Sequence, residues 1–477
     1  MQTTNEFFRE ISKWKLEAKE EDNFRYFLET GDISDLISGD SCYVIGRKGS
    51  GKTAIARHIA GQESFDTFSR TLSFKAFPFR ELYKHADDRF TSSQYITFWK
   101  FVIYTSICEM MSKNEMIATE ALVPLRKHFD IDFGKALQRS IAKITQRNVS
   151  LTVLKGGVAG GETKTYMEND AALYERVASL EELICDYIDG SSYYILFDEL
   201  DEDYKDILDH GRRSQYFDLI SSLFKAVSDV RDVFRNKARI NPIVFLRDDI
   251  YDLVDDNDSN KWDDLSVKLS WSKEKLESLI AFRVSRAIDP DGEVLSVGDI
   301  IDLIFESRSI RWGDRGANRR PVLQHVLDRT LMRPRDVISY LRECAEIAYR
   351  SNVNSINSDI LRRADNEYSR RFKKEFVNEM HTVVPQIRKI FDALSEIRKQ
   401  VLTVKELRDK YNALLKRHPE MVSFTVACQF LFHFSVIGNQ PSQINTNVFK
   451  YKHPDAQMNF DEKILVHRGL MKALQIV

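Results

Sequence analysis

Apolar positions along this chain follow two rhythms, and the alternation between them marks its organisation. Three short runs are apolar throughout: Cys42-Tyr43-Val44-Ile45, Tyr193-Tyr194-Ile195-Leu196-Phe197 and Ile243-Val244-Phe245-Leu246. Such runs read as strands covered on both faces, the pattern of a parallel sheet. Thr71-Leu72-Ser73-Phe74-Lys75-Ala76-Phe77 alternates and stops at Pro78, which predicts another strand, and Leu265–Leu269 predicts a further short one. Helical spacing lies between them. One helix covers Ile96–Met111 around Trp99 and Phe101. A second runs from Lys273 to Ile288, capped by Ser272, with Leu276, Leu279, Ile280 and Val284 on one face, and breaks at Asp289-Pro290-Asp291-Gly292. Residues 1–32 are charged and helical in pattern, with Phe7, Phe8, Trp14, Phe24, Tyr26 and Phe27 as apolar anchors.

Two stretches depart from this alternation. Residues 147–167 read as two alternating strands round Gly156, Gly157, Gly160 and Gly161; no helix follows, so a flexible hairpin insertion fits better than a phosphate loop. Beyond residue 377 come helices near Ile387–Lys399, Lys405–Lys416 and Ser423–Phe434. Alternating segments at Ser435–Gly438, Asn447–Lys452 and Lys463–Val466 follow them. Three helices and a hairpin are the pattern of a winged helix, although Val426, Phe430, Leu431 and Phe432 leave the third helix little polar face for a DNA groove. The expected architecture is α/β: an N-terminal helical segment (1–32), a P-loop NTPase core of parallel sheet and flanking helices (33–271), an all-α lid (272–376) and a C-terminal winged-helix-like domain (377–477).

The candidate chemistry begins where the first apolar run ends. Gly46-Arg47-Lys48-Gly49-Ser50-Gly51-Lys52-Thr53 has the form G-x-x-x-x-G-K-T, with a strand before it and a helix from Ala54 after it. Glycines let backbone N–H groups curl round phosphate oxygens, and the helix start adds its positive end. Lys52 can reach the β- and γ-phosphates, and the Thr53 hydroxyl can ligate Mg²⁺. These residues predict ATP and Mg²⁺ as ligands. The second run ends in Asp198-Glu199, which places Asp198 in the Mg²⁺ shell and Glu199 where it can polarise a water for attack on the γ-phosphate. The following Asp201-Glu202-Asp203 reads as a solvated helix start. The third run ends in Arg247, a γ-phosphate sensor candidate whose other reading is an ion pair with Asp248 or Asp249. Asp255-Asp256-Asn257-Asp258-Ser259-Asn260 lacks the turn glycine and the terminal glutamate of a calcium loop.

Composition narrows the class. A chain of 477 residues suggests about two to four domains. Its most apolar helix carries Lys100 and Glu109 and is too short to span a bilayer, so no membrane is expected. Five scattered cysteines without a C-x-x-C pair read as reduced thiols of a cytoplasmic protein, and the ten histidines form no metal-ligand spacing. The net charge of −2 conceals a polarity. Residues 301–477 hold 30 Lys and Arg against 20 Asp and Glu, and residues 1–300 hold 40 against 52. A polyanionic partner, nucleic acid included, would meet the rear half; the plainer reading is solvated charge on helical faces.

Taken together, Gly46–Thr53, Ile195–Glu199, Arg247 and the run Arg333-Pro334-Arg335-Asp336-Val337-Ile338-Ser339-Tyr340-Leu341 resemble AAA+-like ATPases of the origin-recognition and replication-initiator type, over about Asp32 to Phe376. The resemblance implies a sensor-1 role for Arg247 and a sensor-2 role for Arg335 at the start of a lid helix. The wording of Ile45–Ala54, Phe245–Tyr251 and Phe434–Asn439 is similar to bacterial P-loop ATPases often found in mobile and anti-phage defence loci. Initiators usually carry Asn where Arg247 stands, a change that brings the chain nearer the signalling (STAND-type) ATPases. No arginine lies between Asp252 and Leu269, where a finger is expected; Arg212, Arg213, Arg231 or Arg235 would have to replace it. The function expected is an ATP-binding and hydrolysing switch that assembles with itself or a separate effector protein in anti-phage defence. The alternative is a DNA-binding replication-initiator or loader ATPase.

Overall fold

The structure, a computed structural model, describes residues 4–73, 91–129, 151–155, 162–167, 172–201, 210–312, 318–381, 383–442 and 446–476. The chain divides into two compact units, one formed by residues 29–270 and one by residues 1–28 together with 271–477.

The first unit is built on a five-stranded sheet. Its strands are β1 (Tyr43–Gly46), β2 (Thr67–Ser73), β5 (Ser192–Asp198), β6 (Arg239–Leu246) and β7 (Ser266–Leu269), and they run in the order β2-β5-β6-β1-β7. Every neighbouring pair is parallel. The solid apolar runs predict this: β1 is buried throughout, and so is β5 after its first residue. Pro242 sits inside the central strand β6, where a missing N–H would normally break a ladder. It is tolerated because β6 overhangs β1: the first bond on that side is from Val244 N–H to the Cys42 carbonyl (2.9 Å), two residues further on.

Helices cover the sheet. Ser92–Lys113 is buried almost all round, which explains its lack of amphipathic pattern. Trp99 packs edge-on against Phe197 and donates its indole N–H to the Leu219 carbonyl at 3.0 Å. Tyr43 stacks on Phe224 of the helix His210–Phe234 and donates its hydroxyl to the Phe224 carbonyl at 2.8 Å. The expected insertion is an antiparallel pair, β3 (Leu151–Lys155) with β4 (Glu162–Met167); its four glycines lie outside the described residues. So do Phe74–Pro78, so β2 begins earlier than the alternation suggested and its described part ends at Ser73.

The second unit is mostly helical, as expected, with one addition to the all-helical reading of 272–376. An antiparallel hairpin, β8 (Ser309–Trp312) with β9 (Asn318–Pro321), interrupts it. Its strands are four residues each and arginine-rich, so they carry little apolar alternation to signal them. The N-terminal residues belong to this unit. The helix Thr4–Ser12 packs on Pro334–Arg350, and the Arg283 guanidinium lies 4.7 Å from both the Trp14 and Tyr26 ring centres while pairing with Glu21. Phe24, expected as an anchor, is 82% exposed.

The C-terminal part runs helix Ile387–Ile397, strand β10 (Val401–Leu402), helices Val404–Arg417 and Phe424–His433, then β11 (Ile437–Gln440) and β12 (Lys463–Val466), with sheet order β10-β12-β11. The hairpin therefore joins β11 to β12, not to Asn447–Lys452. That stretch makes one bridge, Val448 to Asn439, and then turns, with the Lys452 and His453 N–H groups both returning to the Phe449 carbonyl.

A buried carboxylate ties the helices of this unit together. Asp365 accepts from Tyr340 Oη (2.5 Å) and Arg329 Nη2 (2.9 Å), with His325 Nε2 at 3.6 Å. Burial raises its pKa, but the His325 bond and the Arg329 charge bring it below the ordinary 3.8. The stability it contributes is therefore present above pH 3.8 and lost as pH falls through the lower, folded value. Asp365→Asn should leave Arg329 without its counter-charge and lower stability by about 3–5 kcal/mol. A urea midpoint within experimental error of the wild type would show the network to be incidental.

Candidate functional site

The order of the sheet decides where a ligand can be held. The chain leaves β1 towards one edge, returns through β5 and β6, and passes β1 to reach β7 on its other side. Ligands of open parallel sheets bind beyond the strand C-termini where the winding direction reverses, here at the ends of β1 and β6. The Gly46–Thr53 loop, Asp198-Glu199 and Arg247 all stand at such strand ends.

The loop has the backbone its glycines allow. Gly49 and Gly51 adopt φ of +80° and +107°, a region closed to most side chains, and Gly51 caps the helix Lys52–Ala60. A Cβ on Gly46 would stand 2.7 Å from Ser50 Oγ and 2.9 Å from Leu269 Cβ. Lys52 folds back over this turn, donating from Nζ to the Gly46 carbonyl (2.6 Å) and the Arg47 carbonyl (3.0 Å). The cradle and lysine fit a phosphate chain, since the bonds Lys52 makes to its own loop are ones phosphate oxygens can replace. Burial lowers the Lys52 pKa to about 8, against the opposing pull of Asp201, Asp248 and Asp198.

Carboxylates gather opposite. Asp198 is buried at the end of β5; burial and the Glu199 charge raise its pKa, while the Glu199 backbone N–H, the Thr53 hydroxyl and Lys52 oppose the rise. The Thr53 hydroxyl lies beside the Asp198 carboxylate, so two residues expected to share a metal stand together. Among the described residues no three His, Cys, Asp or Glu side chains stand close enough to hold a metal alone. A hydroxyl and one carboxylate suit Mg²⁺, which takes few protein ligands and fills its shell with water and phosphate oxygens. Glu199 adopts φ of +60°, a strained backbone for a non-glycine residue, and its Oε2 accepts a short hydrogen bond from Ser73 Oγ at the end of β2. Arg247 forks onto Asp249, Nε to Oδ1 at 2.9 Å and Nη2 to Oδ2 at 2.5 Å, and reaches Asp201 Oδ2 at 3.2 Å.

The structure thus brings Lys52, Thr53, Asp198, Glu199 and Arg247 to one edge. The alternative reading of Arg247, an ion pair, describes its geometry here through Asp249 and, unforeseen, Asp201. Glu202 and Asp203 lie outside the described residues. Ser73 was missed too; a small hydroxyl at a strand's C-terminus, level with Asp198 in the β2–β5 register, was the available signal. Arg335 belongs to the other unit. It opens the helix Pro334–Arg350 and pairs there with Glu17 (3.1 Å) and Glu375 (3.9 Å). Arg333 is buried against Asp336 through two bonds of 3.0 and 2.8 Å. Of the finger substitutes, Arg231 donates to the Gly39 carbonyl at 2.8 Å and Arg235 pairs with Asp232 at 3.4 Å; the side chains of Arg212 and Arg213 are outside the description.

The lowered Lys52 pKa has a measurable sign. Free protein loses this proton as pH rises through about 8, whereas a phosphate-bound lysine must keep it. ATP affinity should fall above pH 8, and binding at pH 8.5 should take up protons, read by calorimetry in buffers of different ionisation enthalpy. Lys52→Ala should abolish binding. Unchanged affinity in that variant would remove the loop as the nucleotide site.

Residues 274–377 match the FunZ-associated C-terminal helical domain family. Along most of its length the protein is similar to the putative transposon gamma-delta 80.3 kDa protein of Escherichia coli (strain K12), 25% identical over 480 aligned residues; the match covers 92% of this chain and only 63% of that protein. Among solved structures it is similar to Cdc6p from Pyrobaculum aerophilum, with 12% identity, 93% and 91% of the two chains covered and a TM-score of 0.31. It is similar also to the Aeropyrum pernix ORC2 protein in its ADPNP–ADP complexes, with 11% identity, 93% and 90% covered and a TM-score of 0.39.

Proposed function

We propose that the 29–270 unit binds and hydrolyses ATP, and that the protein is an AAA+-like switch ATPase. The observation that carries this reading is the convergence of the phosphate cradle, Lys52 and the Thr53–Asp198 pair at one switch point of a parallel sheet. In this reading Gly46, Arg47, Lys48, Gly49, Ser50, Gly51 and Ala54 contribute backbone N–H groups to the phosphates, and Lys52 carries the charge facing the β- and γ-phosphates. Thr53 and Asp198 hold Mg²⁺, which neutralises charge on the phosphate oxygens when bound. Glu199 polarises the water that attacks the γ-phosphorus, the bond to the ADP oxygen breaks, and the water's proton passes to the carboxylate. While Ser73 occupies Oε2, that oxygen is engaged, so Glu199 is held until the bond is given up. Arg247 senses the γ-phosphate by exchanging an aspartate for it.

The biological role follows as a further part of the proposal: a nucleotide-governed switch that assembles with itself or with a separate effector in anti-phage defence. It is supported by the match to a FunZ-associated domain over 274–377 and by similarity to a putative transposon protein. A second reading, a DNA-binding initiator or loader, is favoured by the basic excess of residues 301–477. The 377–477 region is read as winged-helix-like from its helix-strand-helix-helix-strand-strand order.

Two substitutions separate the roles at the water. Glu199→Gln should keep ATP affinity and lower hydrolysis by about a hundredfold or more. Ser73→Ala should free Glu199 and raise basal hydrolysis, by about tenfold or more for one bond to a charged group. Equal turnover in wild type and Glu199→Gln would move the base elsewhere.

Arg335 is proposed as the residue by which residues 272–376 sense the third phosphate, leaving Glu17 and Glu375 to do so. Arg335→Ala should then keep ADP affinity but lose ATP-specific protection of this region in hydrogen exchange. Protection equal to wild type would make Arg335 a purely structural partner of Glu17.

A further inference from the structure

The charge of the rear half is not spread evenly over free side chains. The arginines of the helix Ser358–Met380 are paired: Arg362 and Arg363 with Asp359, Arg370 with Glu367, and Arg371 with Glu343. Arg335 and Arg333 are paired as described. The β8–β9 hairpin differs. Residues 308–320 carry five arginines and one aspartate. Arg308 at its start pairs with Asp302, and Arg320 is held by Asp328, which also takes Arg468 Nη1 at 3.0 Å. Arg311 and Arg319 have no such partner: neither makes an ion pair or a side-chain hydrogen bond among the described residues, and both are exposed.

Their placement makes this consequential. In the register of the hairpin Arg311 stands directly opposite Arg319, so the two guanidinium-bearing side chains project from the same face as cross-strand neighbours. Like charges in that relation destabilise a hairpin, and a hairpin of four-residue strands has little to offset it. Among the described carboxylates, Asp302 and Asp328 are already engaged with Arg308 and Arg320. The pair thus sets two positive charges side by side with no carboxylate partner among the described residues, and its natural complement is an external anion with spread charge. A two-stranded ribbon is of a width that the DNA major groove admits, and arginine forks match phosphate oxygens. Protein interfaces, by contrast, are centred on apolar residues. Of the described exposed side chains of this ribbon, Arg311, Asn318 and Arg319 are polar and only Pro321, at its end, is not.

We infer that the β8–β9 hairpin is a duplex-DNA contact, with Arg311 and Arg319 engaging the phosphate backbone without reading sequence. The inference rests on the charge geometry of the hairpin and does not require that the protein hydrolyse ATP.

The test uses the full chain and a labelled duplex of mixed sequence, with affinity followed by fluorescence anisotropy across a salt series. Arg311→Glu/Arg319→Glu should weaken binding severalfold or more at low salt and reduce the slope of log K against log salt by about two, the loss of roughly two phosphate contacts. Arg362→Glu/Arg363→Glu, which alters cations already paired, should change the slope less. Because charge reversal can disturb the hairpin, Arg311→Gln is the companion variant. It removes the cross-strand repulsion, so it should melt at or above the wild-type temperature while still binding DNA more weakly. An unaltered salt slope in the double variant, or wild-type DNA binding in Arg311→Gln, overturns the inference. So does a wild-type protein that binds no duplex at low salt, or one that binds a double-stranded RNA of equal length more tightly than the DNA.

Discussion

The candidate site depends on one juxtaposition, of the Thr53 hydroxyl at the start of a helix with the Asp198 carboxylate at the end of β5. Their strands are not neighbours: β6 lies between β1 and β5. For the two side chains to meet, β6 must pair in register with both, as it does through Val244 opposite Tyr43 on one side and Phe197 on the other. A slip of either pairing would separate Thr53 from Asp198 and turn buried side chains outward. The apolar packing of the Ser92–Lys113 and His210–Phe234 helices on the sheet therefore does more than stabilise it. It holds the register on which the carboxylate's position depends.

A second consequence of that convergence is electrostatic. Asp198, Glu199, Asp201, Asp248 and Asp249 gather round Lys52 and Arg247 at this edge. Burial makes each uncompensated charge expensive, which is why Lys52 is inclined to lose its proton and Asp198 to gain one. The same groups are relieved together by a divalent cation beside Asp198 and a polyphosphate beside Lys52. In the proposed reading, a site whose two ligands each remove the other's electrostatic penalty would bind them as a pair, as a metal–nucleotide complex.

Much of this could be read from sequence because the signals were local and strong. Solid apolar runs predict β1, β5 and β6, and the candidate residues Gly46, Asp198 and Arg247 stand at or one residue beyond their ends. Loop glycines announced their positive φ by identity alone. What escaped depends on partners distant in sequence. Ser73 is an ordinary strand-end serine until β2 lies beside β5, 126 residues from Glu199. Asp201 looks like a solvated helix start until Arg247 reaches it, and Phe24 looks like an anchor until Trp14 and Tyr26 close on Arg283 without it. β8 and β9 escaped for the opposite reason: arginines conceal a period-two pattern built for apolar residues.

The fate of the arginines shows why composition alone misleads about partners. An excess of ten positive charges in residues 301–477 suggests a broadly basic surface. Side by side with their neighbours, most of the described arginines are neutralised within one turn of helix or across a tertiary contact, and a paired arginine attracts a distant anion little through screening water. Net charge therefore counts candidates without locating them. What locates a polyanion contact is the place where the fold sets two cations against each other and supplies no carboxylate. Among the described residues β8 and β9 do so at Arg311 and Arg319, by the register of their backbone hydrogen bonds.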